Sequence, residues 1–169
     1  MDLPEGDSEN SSASDPLVFF DVVVGDQAAQ RIEMRLFRSV VPLTAENFRV
    51  LCCCGTEGFL GTTFHKVFPG FALVGGKVSP ERGSFADENF AKKHKCAGLL
   101  SMCNEGGPNT NTSLFFITLA AAPWLDNKHV VFGKVTKGLE VVRAIGELGS
   151  TKGDPSQPAT IVACGQVLE

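Results

Sequence analysis

From Arg31 to Leu36 polar and apolar residues alternate without a break: Arg31, Glu33 and Arg35 fall on one side, Ile32, Met34 and Leu36 on the other. A period of two belongs to a strand with one buried face. The β-prone run Leu17–Val24 precedes it and ends at Gly25-Asp26, so the two segments predict an antiparallel hairpin. The period then changes. Val41-Pro42 favours an extended residue followed by a helix start, with Pro42 near the first helical position. Ala45, Phe48 and Cys52 recur at helical spacing, and Gly55 supplies a stop. Further short strands are predicted around 63–68, 71–75, 98–103, 114–119, 130–135 and 159–167. A second helix fits 139–148, where Val141, Ile145 and Leu148 form a stripe that Gly149 ends. This pattern predicts a mostly β barrel or sandwich with capped ends, since closure removes exposed strand edges.

Composition sharpens the boundaries. The 169 residues suit one domain with a sizeable core. The net charge of -4 gives no support to nonspecific nucleic-acid or membrane binding. Asp2, Glu5, Asp7, Glu9 and Asp15 stand unopposed by any Lys or Arg; without them 14 acidic residues face 15 basic ones. Residues 1–15 read as a disordered acidic and serine-rich tail, because Met1 and Leu3 are their only large apolar side chains. Residues 16–169 read as the folded domain. The acidic start lacks the apolar stretch of a signal peptide, and no run reaches transmembrane length. The expected setting is cytoplasmic and the expected state monomeric. Cys52, Cys53, Cys54, Cys96, Cys103 and Cys164 show no C-x-x-C spacing. They read as small buried or half-buried thiols, with a redox-sensitive Cys103 as the sharper alternative.

The chemistry gathers around Phe64-His65-Lys66-Val67-Phe68-Pro69-Gly70-Phe71. Pro69-Gly70 is a turn signal, which places Lys66 and Phe71 on neighbouring strands at one end of a hairpin. Three later segments follow: Leu100-Ser101-Met102-Cys103-Asn104, Pro108-Asn109-Thr110-Asn111, and Trp124-Leu125-Asp126-Asn127-Lys128-His129-Val130-Val131-Phe132-Gly133. In that order they resemble the cyclophilins, the cyclosporin-binding peptidyl-prolyl isomerases, over about residues 16–168. The resemblance implies a closed eight-stranded antiparallel β-barrel capped by two α-helices. It also implies isomerisation of X-Pro bonds in peptides and client proteins, without metal or other cofactor. Lys66, Phe71 and His129 take the catalytic positions. Phe71, Phe116 and Leu125 would line the proline pocket, with His129 and Trp124 at its rim and Ala72 and Val74 on its floor. Cys103 and Asn104 match the edge residues whose backbone pairs with a bound peptide. Plainer readings stand beside these: periodicity requires only that one of Phe115 and Phe116 face the core, and a lone His129 can be structural.

Four departures bear on catalysis. Lys66 stands where the resemblance calls for arginine, whose planar fork fixes geometry that a flexible ammonium does not. Val74 and Leu114 replace glutamines, the former being the one that orients that arginine, and Ala72 replaces a methionine, leaving a roomier pocket. The loop between Gly76 and Phe85 is short, and Glu105-Gly106-Gly107 carries an extra residue. Glu105 can select basic substrates, pair with Lys66, or do neither. The resulting expectation is an isomerase with reduced or specialised activity. Its rival is a non-catalytic module that binds proline-containing segments or a partner protein in the same groove.

Overall fold

The alternating segment forms the expected hairpin in the computed structural model, which describes residues 15–78 and 83–169. Strand β1 (Leu17–Val24) pairs with β2 (Gln30–Leu36), setting Phe20 opposite Ile32 and Val18 opposite Met34. All four side chains are fully buried. On the outer face the Arg31 guanidinium lies 4.0 Å from the Phe19 ring centroid and pairs with Asp21 at 2.8 Å. The expected acidic tail lies outside the described residues except for Asp15. That residue is buried, and its carboxylate accepts hydrogen bonds from the Ser39 N–H at 2.8 Å and hydroxyl at 3.3 Å.

Six more strands follow: β3 (Lys66–Phe68), β4 (Ala72–Gly75), β5 (Leu99–Asn104), β6 (Asn111–Thr118), β7 (Val131–Lys137) and β8 (Ala159–Val167). All pairings are antiparallel, in the order β3-β4-β6-β5-β7-β2-β1-β8. The β3–β4 turn is the one that Pro69-Gly70 predicts, with Gly70 at φ 73 and the Phe71 N–H donating to the Phe68 carbonyl at 3.0 Å.

The sheet curls around a core of phenylalanines. Phe48 sits 4.9 Å from Phe59 and 5.0 Å from Phe115 and Phe132, ring centre to ring centre. It is not the closed barrel expected from the sequence, but a curled half-barrel whose outermost strands, β3 and β8, are not paired neighbours. The strand expected at 63–68 shrinks to three residues, and the 150–153 turn takes their outer edge, with the Val67 N–H donating to the Gly153 carbonyl at 2.8 Å. Isolated hydrogen bonds cross the interval instead: Gly61 N–H to the Ile161 carbonyl at 2.8 Å and Phe64 N–H to the Ala159 carbonyl at 3.1 Å.

Helix α1 (Pro42–Cys53) packs on β1, β6, β7 and β8, burying the predicted stripe of Ala45, Phe48 and Cys52. Helix α2 (Leu139–Gly146) packs on β2, β3 and β4 and ends two residues before the expected 148. No helix among the described residues is long and apolar enough to cross a membrane. Val41 offers no side-chain cap to α1. Glu88 supplies one from a distant loop: its carboxylate accepts from the Leu43 N–H at 3.0 Å, the Thr44 N–H at 2.8 Å and the Thr44 hydroxyl at 2.8 Å. A carboxylate there also meets the positive end of the helix dipole. Glu88→Ala is therefore expected to cost about 1–2 kcal/mol of stability. Urea denaturation should show a lower midpoint at unchanged slope; an unmoved midpoint would contradict this role.

Candidate active site

Strand register builds the site. Lys66, Val74, Phe116 and Ser101 are successive partners across β3, β4, β6 and β5, so their side chains share one face of the sheet. Phe115, one residue along, is fully buried and meets Phe20, Phe48 and Phe59. Alternation then sends Phe116 to the opposite face. There its ring stacks on His94, with centroids 5.9 Å apart and planes inclined by 11°, and meets His129 edge-on at 5.5 Å.

His129 sits on a short turn after the 3-10 segment Pro123–Leu125. Its backbone N–H donates to the Leu125 carbonyl at 3.2 Å, and its Nδ1 lies 2.8 Å from the Met102 carbonyl. A carbonyl only accepts, so Nδ1 donates its proton to Met102. Trp124, on the same segment, is 61% exposed, and its ring lies 6.0 Å from that of Phe71. Phe71 lies 6.2 Å from Phe68 in turn, forming an aromatic rim at the β3–β4 turn. Leu125 is half-buried, while the Ala72 methyl is covered at 1% exposure.

Asn104 donates from Nδ2 to the Lys128 carbonyl at 2.9 Å. With Phe90, Gly107, Pro108 and His129 it lines a groove of about 590 Å³. Beside Cys103 the β5–β6 register shifts between Met102 and Asn104, and burial pushes the Cys103 thiol up to about 12. A thiol protonated at neutral pH is not an activated nucleophile, which speaks against the redox alternative. A second hollow of about 280 Å³ is lined by His65, Lys77, Val78, Glu105, Thr112 and Leu114. Lys77 and Val78 belong to the shortened 77–85 loop, of which 79–82 lie outside the described residues.

The sheet sets Lys66 in the row of Phe116, but its ammonium is paired elsewhere. Its Nζ lies 3.1 Å from Asp154 Oδ1, and Glu105 is not its partner. Both side chains are substantially exposed, so the pair contributes under about 1 kcal/mol. Val74, directly opposite, offers no acceptor.

Three residues not singled out from the sequence complete the pocket from behind. His94 is fully buried; its Nδ1 lies 2.8 Å from Asp126 Oδ1 and its Nε2 2.8 Å from the Ser101 hydroxyl. Burial outweighs the Asp126 carboxylate and pulls the His94 pKa down, so the ring is neutral at pH 7. Nδ1 then donates to Asp126 and Nε2 accepts from Ser101. Burial alone would raise the Asp126 carboxyl, but the His94 backbone and ring donors hold it below its usual value. Among the described residues no three His, Cys, Asp or Glu side chains are placed to hold one metal ion.

A curled antiparallel sheet thus carries a cluster of one phenylalanine and two imidazoles on its outer face. The family model described as cyclophilin type peptidyl-prolyl cis-trans isomerase/CLD matches residues 19–166, and the chain belongs to that family.

His94→Asn should cost about 1–3 kcal/mol, because it strips the buried partners of Asp126 and Ser101. The sign of the pH dependence follows from the lowered pKa. The unfolded chain takes up this proton near pH 6.5, before the folded one does, so the stability His94 contributes is present above that value and lost as pH falls through the folded one. Denaturation at about pH 7.5 and pH 5.5 should show a smaller loss on acidification for His94→Asn than for the parent. Equal losses would contradict a buried neutral ring.

Proposed function

We propose that the protein catalyses cis–trans isomerisation of X-Pro bonds in peptides and client proteins, at a rate reduced by the state of Lys66. The observation that carries this reading is the Phe116 ring stacked on His94 and met edge-on by His129, in the same cross-strand row as Lys66. Rotation about the prolyl amide faces a barrier of about 18–20 kcal/mol set by resonance. No bond to carbon forms or breaks. The site has to hold the proline ring on an apolar surface and supply a donor to the lone pair that twisting frees on the prolyl nitrogen. Such a donor interacts more strongly with the twisted amide than with the planar one, which is what accelerates the step.

In this reading Phe71, Phe116 and Leu125 receive the proline, with Ala72 and Val74 on the floor. His129 and Trp124 border it, and Cys103 and Asn104 align the peptide backbone. Cyclosporin-like ligands would use Trp124 and Phe116. Cys52, Cys53, Cys103 and Cys164 carry free thiols, which supports a reducing, cytosolic setting. A non-catalytic groove that binds proline-containing segments is the second reading, favoured by the Lys66–Asp154 pair.

A protease-coupled assay on several X-Pro peptides separates the two. One well-placed donor contributes on the order of 10²–10³ in rate, of which a mobile ammonium recovers a part. Lys66→Ala should lower the parent's activity further. Activity equal to the parent's would favour the binding module.

Restoring the site calls for two changes. Lys66→Arg alone should help little beside Val74 and Leu114, whereas Lys66→Arg with Val74→Gln should exceed the sum of the single changes. Residues sharing a hydrogen-bond network couple by about 0.5–3 kcal/mol. The gain should appear in turnover rather than in ground-state peptide affinity. Additive single changes would show that Val74 is not the missing support.

A further inference from the structure

Lys66 has its charged partner on one side and the aromatic pocket on the other. Val67 stands opposite Leu73 in β4, yet its N–H donates to the Gly153 carbonyl at 2.8 Å and its carbonyl accepts from the Ser150 N–H at 3.3 Å. The main-chain groups of Val67 therefore point away from β4, and the turn following α2 covers the free edge of β3. That turn is firmly seated. Gly153, at φ +87, packs so closely that an added Cβ would come 2.7 Å from the Phe68 ring and 3.0 Å from Lys66 Cδ. The Asp154 N–H donates to the Ser150 hydroxyl at 2.9 Å, which fixes the residue whose carboxylate takes the Lys66 ammonium. Val74, Phe116 and Ser101 lie on the opposite side, across β4, β6 and β5.

We propose that Asp154 is a positioning residue that draws Lys66 to the outer edge of the sheet and thereby sets how often the ammonium reaches the prolyl amide. The proposal rests on the reading of Lys66 as the catalytic donor. No acceptor on Val74 competes for the ammonium, so the population facing the groove depends on how strongly Asp154 holds it. An exposed pair is weak, and its release shifts that population by about two- to five-fold.

Asp154→Asn should therefore raise kcat/KM on an uncharged X-Pro peptide by about two- to five-fold. Peptide affinity, followed by Trp124 fluorescence, should stay unchanged. Asp154→Glu, which keeps the charge, should behave like the parent. Added KCl should speed the parent by screening the pair and leave Asp154→Asn unaffected. In a Lys66→Ala background Asp154→Asn should bring no gain. An unchanged or lower rate in Asp154→Asn overturns the proposal while leaving Lys66 catalytic, provided that Lys66→Ala still loses activity. If Lys66→Ala matches the parent, the catalytic reading of Lys66 falls and this proposal falls with it.

Discussion

Along β6 the side chains alternate between the two faces of the sheet, and only one of two adjacent phenylalanines can enter the core. Phe115 does so, packing edge-on against Phe48 at 5.0 Å. Phe116 is thereby committed to the other face, where it meets His94 and His129. A slip of one residue would exchange the two rings and dismantle core and pocket together. Register also brings Lys66 and Val74 into the row of Phe116, although 50 residues of chain separate Lys66 from it. The site is thus a consequence of how the core is filled.

Behind the pocket, the Asp126–His94–Ser101 array is both buried and paired. Two good hydrogen bonds compensate the removal of a polar ring from water, and the stacked imidazole gives Phe116 a rigid backing. The front differs. Lys66 ends a flexible stem with one weak partner, where an arginine fork tied to a neighbouring acceptor would have a fixed direction. In the proposed mechanism, holding a proline ring and stabilising a twisted amide are therefore separate tasks. The surfaces suited to the first are ordered, whereas the charge needed for the second is not directed at them.

Much of this organisation was legible in the sequence. The alternation from Arg31 to Leu36, the Ala45–Phe48–Cys52 stripe and the Pro69-Gly70 turn each reflect a local period or a local backbone preference. The motif order identified the family. What local signals could not reach were contacts between distant segments. Glu88 caps α1 from a residue far beyond it in the chain, and Lys92-Lys93-His94-Lys95 gave no periodicity to mark His94 as buried. Asp126 lay within the Trp124 motif, yet its partner became evident only from the fold. The edge of the sheet was misjudged for the same reason: a turn after α2, remote in sequence, took the outer side of β3.

Where the proline ring sits is the central claim, and an isotope-filtered NOE experiment on a labelled X-Pro peptide bound to the protein tests it directly. The account predicts contacts from the proline ring protons to Phe116 and His129, with cis and trans signals of the bound peptide in exchange. Proline contacts confined to Asn104 and Pro108, with none to Phe116 or His129, would contradict it.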